Sequence, residues 1–182
     1  MDTIKTYPIN VEVVTLRTYN ITSGKLPAAA TGSVTVKLNT SMVMLPKEPM
    51  QPRLADERVG FFQNPVTEFS DEQQVTSRGA IIQRYRLEPK DPERYRRGQL
   101  TEPKRPIVYY IDPATPKKWI PYLKAGVNDW NVAFEAAGFK NAIIAKDITE
   151  DMEVDMDDVN YSVLTYAAST KANAMGPSIL DP

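Results

Sequence analysis

The sequence contains neither histidine nor cysteine. Without histidine, the commonest general base at neutral pH and the commonest zinc ligand are both missing; without cysteine there is no thiol nucleophile, thiolate metal site or disulfide. Serine triads, cysteine–histidine dyads and histidine-ligated zinc are therefore excluded from this chain's own chemistry. Long apolar runs are also lacking. None is long enough to span a bilayer, and residues 1–25, MDTIKTYPINVEVVTLRTYNITSGK, hold no uninterrupted apolar block of the kind a secretory signal carries. Glycine is sparse, 8 residues against 15 prolines, and the sequence has no phosphate loop, no glycine-rich dinucleotide turn and no glycine-flanked serine elbow. Nor does one sign of charge dominate. The 22 basic and 23 acidic residues leave a net charge of −1, so no overall field favours nucleic acid or an anionic membrane.

What is present suits a folded protein: 42% of the 182 residues are hydrophobic and 9% aromatic, enough for a core. Residues 11–19, VEVVTLRTY, are rich in β-branched side chains and stop at a turn, as a strand does. From 33 to 45, SVTVKLNTSMVML, one face carries Val34, Val36, Leu38, Met42 and Met44 and the other Thr35, Lys37, Asn39 and Ser41. That period of two predicts a half-buried antiparallel strand. Pro46, Pro49 and Pro52 then predict an extended, polyproline-like connection, followed by a short strand at 59–62 and a longer one at 79–88. Residues 1–88 read as a β-rich unit of about four strands, and 89–105, PKDPERYRRGQLTEPKR, as a charged, proline-rich linker.

Beyond the linker the period changes. Residues 107–111 form a compact apolar strand; Thr115 can cap a helix with Pro116 at its first position, although Pro121 moves the regular helix towards Trp119. Ile120, Leu123, Val127, Trp130 and Phe134 recur at helical spacing, which predicts one long helix with Trp130 and Phe134 buried against a sheet and Gly138 as its left-handed C-cap. Strands at 142–146 and 161–166 complete a strand–helix–strand–strand unit over 106–182, whose first two strands should be parallel with a right-handed crossover. The fold class is α+β. The acidic run 147–158, DITEDMEVDMDD, alternates as a calcium loop does, but Met156 stands where the turn demands glycine and Ser162 where the last ligand should be glutamate; a solvated acidic connection is the reading that remains.

The segments RPIVYYIDPATPKKW, GVNDWNVAFEAAGFKNAI, YSVLTY and GPSILDP, in this order and spacing, resemble the entry to the catalytic domain of a bacterial family of metzincin-like zinc metalloproteases. MVMLPKEPMQPRLADERVGFF and the strand ending in YRLEPKDP are similar to the β-rich domain that precedes it there. The resemblance implies the upper half of a metzincin catalytic domain, a twisted sheet backed by a helix, with the H-E-x-x-H-x-x-G-x-x-H zinc helix following after Pro182. It therefore implies that this chain is the non-catalytic N-terminal portion of a zinc-dependent endopeptidase: no catalytic or metal-ligating residue and no cofactor within it, zinc in the intact parent, and a secreted, periplasmic or envelope location for that parent. Its partners would be the rest of the protease chain and the parent's peptide or protein substrate. Ala172, Asn173, Ala174, Met175, Gly176, Pro177 and Ser178 would supply the substrate-side edge strand and a site of self-association. The alternative reading is a stand-alone binding module that uses its sheet edges.

Overall fold

The computed structural model describes residues 2–21, 31–171 and 173–176. The chain is α+β and divides into two compact units, one of Met1–Met44 with Ile148–Val163 and the other of Leu45–Asp147 with Leu164–Pro182. The division thus falls at 44/45 and again around 148–163, not within the charged stretch 89–105. Hydrogen bonding explains it: the acidic segment after residue 147 is tied to the N-terminal sheet, as described below.

The first unit is built on an antiparallel sheet of β1 (Thr3–Thr6), β2 (Asn10–Asn20) and β3 (Ser33–Val43), in the order β1-β2-β3. The β2–β3 ladder runs from Asn10↔Val43 to Asn20↔Ser33, and the Ile21 amide donates to the Gly32 carbonyl at 3.0 Å to close it. Alternation places Val11, Val13, Val36, Leu38 and Met42 on one face and Asn10, Glu12, Asn39 and Ser41 on the other. The sequence predicts burial of the apolar face, yet Leu38, Met42 and Met44 are exposed and only Val34 and Val36 are half-buried. Within this unit the covering segment lies on the polar face instead, because that face has the donors and acceptors to hold it.

The second unit opens with the proline-rich stretch, which lies outside the named strands and bends at Lys47–Glu48. Prolines have no N–H to offer a ladder, and arginines reach the carbonyls of the stretch, Arg84 donating to Gln51 O at 2.6 Å and Arg86 to Glu48 O at 2.8 Å, while its end at Leu54 bridges Ile81, with the Ile82 amide on Arg53 O at 2.9 Å. β4 (Gln63–Glu68) and β5 (Ser77–Ile82) form an antiparallel pair. The strand expected at 59–62 is therefore displaced to 63–68. The one expected at 79–88 ends at Ile82, where Arg84 and Arg86 turn to the proline segment.

The stretch 89–105 is folded, not a linker. Asp91 caps α1 (Pro92–Arg96) by accepting from the Glu93 and Arg94 amides, both at 3.1 Å. Thr101 is buried and exchanges backbone hydrogen bonds with Gly138 (3.2 Å) and Lys140 (3.0 Å), while the Tyr95 ring packs on Phe139 with centroids 5.1 Å apart. Most of the charges that suggested a linker are exposed, but Asp91 and Glu102 are half-buried and bonded within the fold.

After it, β6 (Ile107–Ile111) pairs in parallel with β7 (Ile143–Asp147) across a helical crossover of α2 (Ile120–Asn128) and α3 (Asn131–Ala136). Leu164, the residue of β8 (Ser162–Leu164) that belongs to this unit, accepts from the Asp112 amide at 3.0 Å. Ile107, Ile111, Phe139, Ala142 and Ile143 form the buried apolar core of this unit.

The expected single helix is two. Around Asp129 and Trp130 the bonding tightens to three-residue steps, with the Trp130 amide on Val127 O at 3.3 Å and the Ala133 amide on Trp130 O at 3.0 Å. Thr115 caps nothing; α2 begins at Ile120, as Pro121 near its start requires.

Candidate functional site

Two polar networks stand out, one in each unit. In the first unit the centre is Glu12, a residue only 5% exposed. One oxygen accepts from Asn10 Nδ2 at 2.7 Å; the other accepts from Asn39 Nδ2 at 2.8 Å and Ser41 Oγ at 2.6 Å. Register explains the convergence, since Glu12 lies directly across from Ser41 and Asn39 is its same-face neighbour. Burial alone would raise the Glu12 carboxyl, but the bonds from Ser41, Asn10 and Asn39 outweigh it and hold the group below its ordinary value. Glu12 is therefore an anion at neutral pH with both oxygens hydrogen-bonded, suited to holding neighbours in place.

What it holds is Asn10. A carboxylate can only accept, so the Asn10 amide must turn its NH2 towards Glu12. The same NH2 donates to Asp157 O at 2.8 Å, and Asn10 Oδ1 is left to accept from the Val159 amide at 3.2 Å. Lys5, opposite Glu12 on β1, completes the grip with ion pairs to Asp155 (3.0 Å) and Asp157 (2.7 Å). Its hydrogen bonds to Asp157 and then to Asp155 raise the Lys5 ammonium above its usual value. Asp155 is lowered to about 2 by the Asp157 backbone amide first, then by Tyr7 and Lys5. The Tyr7 hydroxyl is pushed up to about 12, by burial first and then by Asp155. The acidic run is thus docked on the sheet, correcting the reading of it as a solvated connection. Among the described residues no group of three or more acidic side chains is arranged to hold a metal ion.

In the second unit Asn131 acts as a substitute strand neighbour for β7. Its Oδ1 accepts from the Ala142 amide (3.0 Å) and the Ile143 amide (3.3 Å), while its Nδ2 donates to Ile143 O at 2.8 Å and to Asn128 O at 3.1 Å. Asn128 Oδ1 accepts from the Ala145 amide at 3.3 Å. The crossover helices are therefore fastened to the start of β7 by amide side chains as well as by packing. Four residues after Val127, Asn131 continues the sheet-facing side of the helix, and Trp130 is turned out to 62% exposure. The expected burial of Trp130 is corrected accordingly; Phe134 is half-buried. Gly138 sits where the sequence puts it, with φ of 93°, its amide on Glu135 O at 2.9 Å and the Phe139 amide on Phe134 O at 2.9 Å. A Cβ there would lie 2.7 Å from the Tyr95 ring, so close approach as well as backbone conformation selects glycine.

Of the expected edge strand, Asn173, Ala174, Met175 and Gly176 are exposed and outside any strand; Ala172, Pro177 and Ser178 lie outside the described residues. The correction has a local cause, since asparagine, alanine and glycine have little tendency to extend without a pairing neighbour. Composition missed Asn10, Glu12, Asn128 and Asn131. Their signals are present but faint: a lone carboxylate within a β-branched run, and two asparagines three residues apart in the helical crossover.

Residues 1–90 match the family model described as Domain of unknown function (DUF5117). The match covers the first unit's sheet and the β4–β5 pair, and it ends just before α1. No curated protein and no solved structure matches the chain. Among the described residues no helix is long and apolar enough to cross a membrane.

Proposed function

We propose that this chain is the non-catalytic N-terminal portion of a zinc-dependent endopeptidase of the metzincin-like class, and that its work is structural: to present a braced sheet to the catalytic elements that follow. The observation that carries the reading is the parallel β6–β7 pair, joined by a helical crossover and fixed by Asn131, occurring in a chain with no histidine or cysteine. A unit of this form supplies a platform but no imidazole base, thiol nucleophile or soft metal ligand. The order of the quoted motifs, with the matched domain preceding them, supports the same assignment. The parent would act on peptide or protein substrates outside the cytoplasm, in a secreted, periplasmic or envelope setting.

Zinc, which this reading implies for the parent, is not fitted by the residues present. Its usual ligands are imidazole nitrogens and thiolates; the chain has neither, and its docked aspartates are already committed to Lys5 and to backbone amides. The zinc ligands are therefore assigned to sequence beyond this chain. The test is to read the codons that follow Pro182 and to assay peptide hydrolysis with added zinc. An H-E-x-x-H coding sequence, with hydrolysis by the longer product and none by this chain, is the expected result. A stop codon after Pro182, or zinc-dependent hydrolysis by this chain itself, would overturn the proposal.

A further inference from the structure

We propose that a cleft in the second unit, lined by Arg86, Glu88, Lys104 and Arg105, binds a small oxyanion bearing phosphate or carboxylate groups. The cleft is built on backbone. Pro89 and Pro103 form an antiparallel bridge, and on either side of it the Lys104 amide donates to Glu88 O and the Lys90 amide to Glu102 O, both at 2.8 Å. This short ladder lies in the stretch whose composition suggested a linker, and it sets the Glu88 and Lys104 side chains against each other. The cleft has a volume of about 360 Å³, within the range of small-molecule sites, and all four residues lining it are charged.

The charges do not balance within the cleft. Glu88 accepts from Arg86 Nε at 2.9 Å and from Lys104 Nζ at 3.1 Å, so one carboxylate faces three cations. Arg86 is held in place from a second side, its Nη1 donating to Glu48 O at 2.8 Å, which leaves its other terminal nitrogen free to donate outward. Lys104 has two further N–H donors. Arg105 has no hydrogen-bond or ion-pair partner among the described residues, although it lies beside the fixed start of β6. A pre-positioned guanidinium, an ammonium and an uncommitted second guanidinium around one cleft are the donor set that phosphates and carboxylates take, because their paired oxygens match the guanidinium fork. The chain as a whole carries a charge of −1, so this excess is local and not a general basicity.

The test uses the full chain at constant ionic strength, with inorganic phosphate, pyrophosphate and citrate titrated separately against a chloride background and binding read by calorimetry. Saturable one-to-one binding of at least one probe is expected. Arg105→Gln should weaken it roughly tenfold or more, the scale of a charge-assisted hydrogen bond. Arg97→Gln removes the same charge outside the cleft and should change binding by less than about twofold. Tighter binding of pyrophosphate than of citrate assigns the site to phosphate, and the reverse assigns it to carboxylates. Absence of saturable binding by all three probes, or equal losses in the two variants, would overturn the proposal. Arg105 makes no bond whose loss could unfold the chain, so an effect of its replacement is read as one on binding.

Discussion

Replacing Glu12 tests whether the buried carboxylate organises the first unit. Glu12→Gln keeps shape and volume but changes the donor pattern. One amide oxygen can still accept from Asn10, and the new NH2 can donate to the Ser41 hydroxyl, which rotates to accept. The same NH2 then meets Asn39 Nδ2, donor against donor. One bond is lost and two fall from charge-assisted to neutral strength, each change being about 1 kcal/mol. The cheaper burial of a neutral amide offsets part of this, leaving a net loss of roughly 1–3 kcal/mol. Glu12→Leu removes every acceptor and leaves Asn10, itself buried, with an unanswered donor; it should cost roughly 3–5 kcal/mol. Urea denaturation followed by far-ultraviolet circular dichroism gives both values. Hydrogen exchange at the Val159 amide, which bonds to Asn10 Oδ1, should speed up in both variants as Asn10 loses its fixed orientation. If both variants unfold within about 0.5 kcal/mol of the parent and Val159 exchange is unchanged, the carboxylate does not hold the segment and the reasoning is wrong.

Three further outcomes follow from the same contacts. Asn131→Ala leaves the buried Ala142 and Ile143 amides without their side-chain acceptor and should destabilise by roughly 2–4 kcal/mol in urea titrations. Asn131→Asp, which keeps the acceptors and loses the donors, should fall between it and the parent; equal stability of all three would remove the brace from the account. Gly138→Ala forces a left-handed alanine against the Tyr95 ring and should cost roughly 2–4 kcal/mol, with a shift in the Tyr95 ring resonances that an undisturbed C-cap would not give. The docked acidic segment should loosen in acid: Asp155 titrates at about 2 in the folded chain, below its ordinary 3.8, so the unfolded state takes up the proton first and stability falls as pH drops from about 5 towards 2. Asp155→Asn should flatten that slope in acid titrations followed by circular dichroism, and an unchanged slope would show that the linkage lies elsewhere.

The strands β2, β3, β6 and β7 were legible in the sequence because β-branched runs and period-two alternation are local properties, and so was the Gly138 cap, since a left-handed residue after a helix nearly names itself. The parallel pairing of β6 and β7 followed from the helix between them. The sequence could equally exclude the chemistry of histidine and cysteine outright, for absence of a residue type needs no structure to interpret. What it could not determine was which surfaces meet. Charge in 89–105 and in 147–158 indicates contact with water on some side, and it is silent about an Asp91 cap, a Thr101 anchor or an Asn10 clamp on the other. Trp130 carried the strongest apolar signal on its helix and lies outside, because a tightened turn and the bonds of Asn131 to Ile143 set the rotation of that face. Hydrophobic periodicity reports the average preference of a segment; a few well-placed polar bonds between residues distant in sequence, worth as much as a buried side chain, decide where that segment finally rests.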